Sequence, residues 1–190
     1  MLRSLIFSFI FFTLITVSTC TRKQEIPVAD GSTGEVPLQE FVGKTSIVMV
    51  DSGKTEWIMR TTYMVKKRNG DKTEATPVEF DYFGGKKEPQ SHLTARHGET
   101  FGQTFESFFV EGNVVVTSTK GYKLKSDNLR WDKKKNQIVS DSRVHFKTLQ
   151  GDMLTGIGFE SDPDLENWKI LKNVHGEFQN FEKRVDEGGL

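Results

Sequence analysis

Residues 112–141 read GNVVVTSTKGYKLKSDNLRWDKKKNQIVSD, and residues 142–173 read SRVHFKTLQGDMLTGIGFESDPDLENWKILKN. The second stretch is a rough copy of the first, displaced by about thirty positions. Val114 corresponds to Val144 and then to Val174, and Gly121 corresponds to Gly151. Each copy leads through a Gly turn into a second strand. Self-similarity at this period is typical of repeated supersecondary units that share one interior.

Short alternations of apolar and polar residues recur from residue 46 onward, separated by clusters of Gly, Asn, Asp and Lys. This period of two is typical of strands with one buried face, and no segment keeps helical spacing over three turns. We predict an all-β domain of repeated antiparallel strands with little helix, arranged as a sandwich, a jelly roll or a solenoid. The predicted strands span residues 46–51, 56–66, 76–83, 91–96, 108–119, 122–131, 137–140, 143–148, 153–159, 169–171 and 174–178.

Alternation also predicts which side chains face the interior, since successive residues of a strand point to opposite faces. Arg143, His145 and Lys147 are expected on the outer face. Nine apolar residues are expected to point inward: Val114, Val116, Leu124, Leu129, Ile138, Val144, Phe146, Leu154 and Phe159. They either fill a dry core or line a groove that binds lipid.

The N-terminus carries an uncharged run of 13 residues, LIFSFIFFTLITV, at positions 5–17. A membrane-spanning helix needs about 20 apolar residues, so this run suits the hydrophobic region of a secretory signal. Cys20, the only cysteine, follows it in the arrangement of a bacterial lipoprotein signal. We predict a signal peptide over residues 1–19 and acylation of Cys20; the alternatives are a short uncleaved anchor and an ordinary signal with an incidental cysteine.

The remaining organisation follows from composition. Residues 20–44 mix charge, Pro and Gly without periodicity and are predicted to be a tether. Residues 45–178 are expected to form the β domain, and residues 179–190 a charged tail.

Several function classes are disfavoured. Lys and Arg sum to 26 and Asp and Glu to 26, which argues against a nucleic acid partner. One cysteine cannot make a disulfide framework or a Cys-rich zinc site. His92 and His97 lie five apart on a predicted strand, so they are poor joint metal ligands. No catalytic spacing is present, so we expect neither an enzyme nor a cofactor or metal.

The chain resembles the LptC family over roughly residues 45–178, nearly the whole predicted domain. Single motifs are weak alone, but their order and spacing are specific. The resemblance is carried by Trp57-Ile58-Met59, Leu93-Thr94-Ala95 with Gly98, Gly112-Asn113-Val114, Leu129-Arg130-Trp131-Asp132, Ser140-Asp141, Val144, Gly151 and Gly156-Ile157-Gly158-Phe159.

This resemblance implies an open β-jelly roll whose inner face holds the acyl chains of lipid A. It implies a periplasmic protein at the inner membrane that receives lipopolysaccharide from an ABC transporter. It also implies an LptA-like partner that pairs with an edge strand, for which residues 174–178 are the candidate. The well-known members keep a transmembrane helix, whereas this chain carries a lipoprotein-type signal.

Other functions remain open at this point. The nearest is a soluble LptA-like bridge protein, which a membrane-tethering Cys20 would exclude. A structural envelope lipoprotein would assemble through its edge strands and bind no lipid. An enzyme acting on envelope glycans is disfavoured because no carboxylate pair or catalytic triad is recognisable.

Overall fold

The computed structural model describes residues 37–67, 72–100 and 107–179. These residues form antiparallel strands and no helix, and none of them belongs to a helix that could cross a bilayer. The prediction of an all-β domain is confirmed. The strands are β1 (Pro37–Asp51), β2 (Lys54–Lys67), β3 (Thr73–Thr76), β4 (Val78–Tyr82), β5 (Ser91–Ala95), β6 (His97–Thr100), β7 (Ser107–Ser118), β8 (Lys123–Asp132), β9 (Gln137–Lys147), β10 (Met153–Ser161) and β11 (Trp168–Glu177).

The strands follow one another across a single sheet as a meander. β3 and β4 continue one line that is interrupted at Pro77, and β5 and β6 continue the next line, interrupted at Arg96. β3 pairs with β6 at Thr73 and Thr100, and β4 pairs with β5 at Val78 and Ala95. Both pairs belong to one continuous antiparallel register between the two lines. Proline cannot donate a ladder hydrogen bond, so the line breaks there without losing its register.

Each line of the meander bends near its middle, and we call the row of bends the crease. In β7 the bend is a bulge at Gly112 and Asn113, both with positive φ, at 79° and 54°. Further register shifts fall between Val42 and Thr45 in β1 and between Ile157 and Phe159 in β10. Bulges bend the strand that carries them, so a row of them folds the whole sheet.

The crease divides the sheet into two leaves that face each other. The β4 leaf contains β4 and β5, the β3 leaf contains β3 and β6, and each longer strand contributes one half to each leaf. Phe80 of the β4 leaf lies 4.8 Å from Phe108 of the β3 leaf, between ring centroids. Phe146 and Trp168 make the same contact farther along, at 4.4 Å. The result is an open β-jelly roll with its hydrophobic core between the leaves.

Some predicted boundaries are wrong. β1 begins at Pro37, so the last part of the predicted tether, residues 37–44, is strand paired with β2. The break predicted at residues 141–142 is the bend of one strand, β9, because Ser140 Oγ accepts a hydrogen bond from the Ser142 N–H at the crease. The two strands predicted at the C-terminal end are likewise one, β11. The predicted signal peptide, Cys20, residues 21–36 and residues 180–190 lie outside the described residues.

Candidate functional site: the interior between the leaves

The nine residues predicted to face inward all lie in the interior, with exposed fractions between 0% and 9%. Their outer-face neighbours Arg143, His145 and Lys147 are exposed. The pattern of burial therefore agrees with the alternation in the sequence, and contact of the nine with lipid stays a prediction.

The crease explains two pairs that simple alternation would place on opposite faces. Leu124 and Leu129 are an odd number of residues apart, and both are fully buried because the β8–β9 register shifts between them. Leu154 and Phe159 are related in the same way through Gly158, which has a φ of 78°. The extra residue of a bulge shifts the alternation by one position, so the side chains after the bend point to the interior again.

Four large aromatic residues that are not among the nine predicted interior positions fill the middle of the interior: Trp57, Phe80, Phe108 and Trp131. Phe80 is the centre of the group: its ring centroid lies 5.3 Å from that of Trp57 and 6.1 Å from that of Trp131. Phe108 and Trp131 are 5.1 Å apart. Alternation could have predicted two of them as interior residues, since Trp131 lies two residues after Leu129 and Phe80 two residues after Val78.

A second aromatic group lies toward β11. Phe146 is fully buried and contacts Tyr122 at 5.8 Å, Phe159 at 5.3 Å and Trp168 at 4.4 Å between ring centroids. Tyr122 and Trp168 are only partly buried. This end of the interior is therefore partly open to solvent.

Little free volume remains between the leaves. A cavity of about 30 Å³ lies among Trp57, Phe80 and Phe108, and another of about 20 Å³ lies between Phe80 and Trp131. Such volumes suit one or two water molecules. An acyl chain therefore fits only if the leaves part or the aromatic side chains move.

The leaves meet again along the side opposite the crease, which we call the mouth. Ser91 Oγ donates a hydrogen bond to the carbonyl of Pro163 over 2.6 Å. Tyr82 Oη donates to Asn136 Oδ1 over 3.3 Å. A third contact across the mouth is the ion pair between Lys120 and Glu166. Among the described residues, these three contacts across the mouth are polar.

The loop between β10 and β11, residues 162–167, closes part of this mouth. Leu165 is fully buried in the core although its φ is 63°, a conformation that costs a branched residue energy. The carboxylate of Asp162 accepts hydrogen bonds from the backbone N–H groups of Glu166 and Asn167. No sequence pattern marks Leu165 as interior, because it lies in a polar loop between strands.

Two carboxyl groups of this loop titrate differently. Burial first, and then its hydrogen bond and proximity to Asp162, raise the pKa of Asp164 to about 6. Burial alone would raise the pKa of Asp162 too, but hydrogen bonds from Asn167 outweigh it and the pKa is lowered. The pair therefore keeps one proton between them in mildly acidic solution, on Asp164.

The two ends of the meander differ from its middle. Within the described residues, β1 pairs only with β2 and β11 only with β10. Large apolar side chains are exposed on both strands and just beyond β11: Leu38, Phe41, Val42, Val48, Val50, Leu171, Val174 and Phe178. An apolar strand edge with free backbone groups is suited to pairing with a strand of another chain.

Residues 38–179 match the family model described as lipopolysaccharide-assembly, LptC-related. The chain belongs to the LptC-related family, which acts in periplasmic lipopolysaccharide transport and outer membrane biogenesis rather than in catalysis. Among solved structures, the chain is similar to LptH, the LptA homologous periplasmic component of the lipopolysaccharide transport device from Pseudomonas aeruginosa. That match has 9% identity and a TM-score of 0.39, and it covers 73% of this chain and 96% of that chain. No curated protein matches the chain.

Proposed function

We propose that this chain is an LptC-like carrier, which receives lipopolysaccharide from an inner-membrane ABC transporter and passes it to an LptA-like protein. The observation that carries the proposal is the interior, which is apolar from β2 to β11 and is lined by side chains of both leaves. Burying acyl chains there gains about 25 cal/mol per Å² of apolar surface removed from water. This driving force needs no catalytic group in the carrier.

Loading proceeds by separation of the leaves at the mouth. The crease is continuous backbone and stays intact, whereas the mouth is held by Ser91, Tyr82 and Lys120 with their partners. Each of the two hydrogen bonds contributes only about 1 kcal/mol, because water replaces it when the leaves part. The exposed ion pair of Lys120 with Glu166 adds little. Acyl chains then take the places of interior contacts, for example near the partly buried Tyr122 and Trp168.

Handover uses the edges of the sheet. Acylation of Cys20 anchors the chain in the membrane and brings one edge near the transporter. The edge of β11, with exposed Leu171 and Val174, receives a strand of the LptA-like partner. A partner strand added there would bury apolar surface and satisfy the free backbone groups of β11 at the same time.

A structural envelope lipoprotein without lipid cargo is the second candidate function. It is favoured by the nearly filled interior, whose cavities of about 30 and 20 Å³ hold no acyl chain as they stand. The two functions differ in one observable property, which is whether lipid reaches the interior in cells.

Site-specific photocrosslinking in cells distinguishes them. A photoreactive amino acid at Leu154, the most exposed of the nine interior residues at 9%, is expected to give a light-dependent lipopolysaccharide adduct. The same amino acid at the exposed His145 of the neighbouring strand is the control and is expected to give none. Ile170, partly buried against the core, serves as a second interior position.

Three outcomes are informative. Adducts at the interior positions alone support the carrier. Adducts at His145 alone would place the lipid on the outer face and contradict the proposed path. Absence of adducts at Leu154 and Ile170, in variants with wild-type thermal unfolding and membrane localisation, would favour the structural lipoprotein.

A further inference from the structure

Five basic side chains cluster on the outer face of the β4 leaf, on neighbouring strands β8 and β9. We call them the basic patch: Lys123, Lys125, Arg143, His145 and Lys147, all exposed. The register places Lys123 directly opposite Lys147 and Lys125 directly opposite His145. Because cross-strand partners lie close together, these side chains share a small area of the surface.

This arrangement is unfavourable for the isolated fold. Like charges directly opposite each other destabilise a sheet. None of the five side chains has an ion-pair partner in the part of the chain that the structure describes. The cross-strand neighbours on β7, Val115 and Thr117, and on β10, Met153, Thr155 and Ile157, are uncharged.

Another lysine cluster in the chain shows the contrast. Lys67 and Lys72 both contact Glu74, at 2.8 and 2.9 Å, and Lys72 also contacts Glu99 at 2.8 Å. That cluster is neutralised within the fold. The basic patch is not, although the whole chain has equal numbers of basic and acidic residues.

A hollow at the edge of the patch is lined by several of its basic side chains. Its volume is about 370 Å³, and it is lined by Lys125, Arg143 and His145 together with Asn113 and Asp127. Asp127 is the one carboxylate among its lining residues, against three basic side chains. A phosphate group fits this balance of charge.

We propose that the basic patch docks on the phosphate-rich surface of an anionic phospholipid bilayer. Charge complementarity carries the proposal, since each lysine or arginine near an anionic surface adds attraction that fades within a Debye length. We expect the predicted acylation at Cys20, which follows the apolar run at residues 5–17, to hold the chain at a membrane. The patch lies on the outer face, so docking leaves the interior between the leaves free. The inference does not require that the interior bind lipid.

The test uses the chain as it is isolated from membranes, with the anchor it carries there, reconstituted into vesicles. A fluorescent amino acid at Thr117, exposed and directly opposite Lys123, reports energy transfer to an acceptor on lipid headgroups. Transfer is expected to be higher in vesicles that mix phosphatidylglycerol with phosphatidylcholine than in vesicles of phosphatidylcholine alone. Added salt is expected to lower it to the phosphatidylcholine level.

A pair of matched variants isolates the patch. Lys123→Gln/Lys125→Gln/Lys147→Gln is expected to remove the difference between the two kinds of vesicle. Lys133→Gln/Lys134→Gln/Lys135→Gln removes the same charge from the turn between β8 and β9 and is expected to keep it. The patch variant is also expected to unfold at a higher temperature than the wild type, because like charges no longer face each other.

Equal transfer in both kinds of vesicle for the wild type would overturn the proposal. So would a patch variant that keeps the full difference, or an equal loss of the difference in both lysine variants. Photocrosslinking from Leu154 in the patch variant separates the two proposals: an adduct there keeps the carrier function whatever the vesicles show.

Discussion

The middle of the sheet and its two edges use apolar residues in opposite ways. In the middle, Phe80, Phe108 and Trp131 pack between the leaves and leave cavities of only about 30 and 20 Å³. At the edges, Val48 and Val174 are 52% exposed. The contrast teaches that the middle holds the fold together, whereas the edges keep apolar surface available for partners. Substitutions of similar size should therefore differ greatly in their effect on stability between these regions.

The largest effect is expected in the second aromatic group. Phe146→Asp puts a charge among Tyr122, Phe159 and Trp168, at a position with no exposure. The loss of packing and the burial of an unpaired charge together should lower the free energy of unfolding by about 5 kcal/mol or more. Urea unfolding measures it, with His145→Asp on the outer face as the control. A folded Phe146→Asp protein of near wild-type stability would contradict the packing of this end of the core.

The next effect concerns Gly98 beside the crease, which packs closely against Val78 of the other leaf. A Cβ added at Gly98 would lie 2.7 Å from Val78 Cγ2 and 3.3 Å from Val110 Cγ1. Gly98→Ala should therefore destabilise by about 1–3 kcal/mol. Thermal unfolding of Gly98→Ala, Val78→Ala and the double variant measures their coupling. The double variant should lose less than the sum of the single losses; strict additivity would show that this contact is not the cause.

A smaller effect belongs to the mouth, between the middle and the edges. Ser91→Ala removes the hydrogen bond to the Pro163 carbonyl and should cost about 1 kcal/mol. It should also raise the yield of lipopolysaccharide adducts at Leu154, because the leaves part more readily. Ser161→Ala, whose hydroxyl contacts the adjacent Asp162 rather than the other leaf, is the control. An unchanged adduct yield in Ser91→Ala would argue against entry through the mouth.

A pH dependence should also arise at the mouth. The pKa of Asp164 is raised to about 6 from its ordinary 3.8, first by burial. Between these two pH values the folded protein therefore binds more protons than the unfolded chain. The contribution of Asp164 to the free energy of unfolding consequently falls as pH rises through about 6. The difference in melting temperature between wild type and Asp164→Asn should change with pH in that direction. A constant difference across this range would show that Asp164 titrates normally.

The smallest effect on stability is expected at the edges. Val48→Lys and Val174→Lys replace exposed side chains and should change the free energy of unfolding by less than about 0.5 kcal/mol. Each should nevertheless weaken capture of a partner at its own edge, since a lysine opposes edge pairing. Crosslinking in cells to an LptA-like protein measures this for β11. Equal loss of that crosslink from both variants would contradict the assignment of separate partners to separate edges.

Alternation along single strands predicted much of this molecule. Alternation predicts Val114, Val116, Val144 and Phe146 on the inner face, because side-chain direction repeats every two residues along a strand. All four are buried. The same rule could have identified Phe80 and Trp131 as interior residues. The inner direction is a local property, so one strand of sequence is enough to predict it.

The crease could not be predicted in the same way. Asp141-Ser142 has the composition of a turn, yet it lies inside β9, because a bend with a bulge and a turn use the same polar residues. The strand over residues 37–44 was missed for a related reason. Gly43 and its neighbours lack alternation, and only pairing with β2 makes them a strand. Leu165 enters the core from the loop between β10 and β11, and no local pattern predicts this.

The crease also sets rules for how the length of this chain can change. Between a hairpin tip and the crease, deleting one residue would turn every later side chain of that half-strand to the wrong face. At the tips the same change alters only a turn, for example at Ser52, where the φ is already 49°. Insertions and deletions should thus be tolerated at the turn of Ser52 and Gly53 and be harmful at the bulge of Gly112 and Asn113. The position of a length change, more than its size, decides whether the two leaves still close on a common interior.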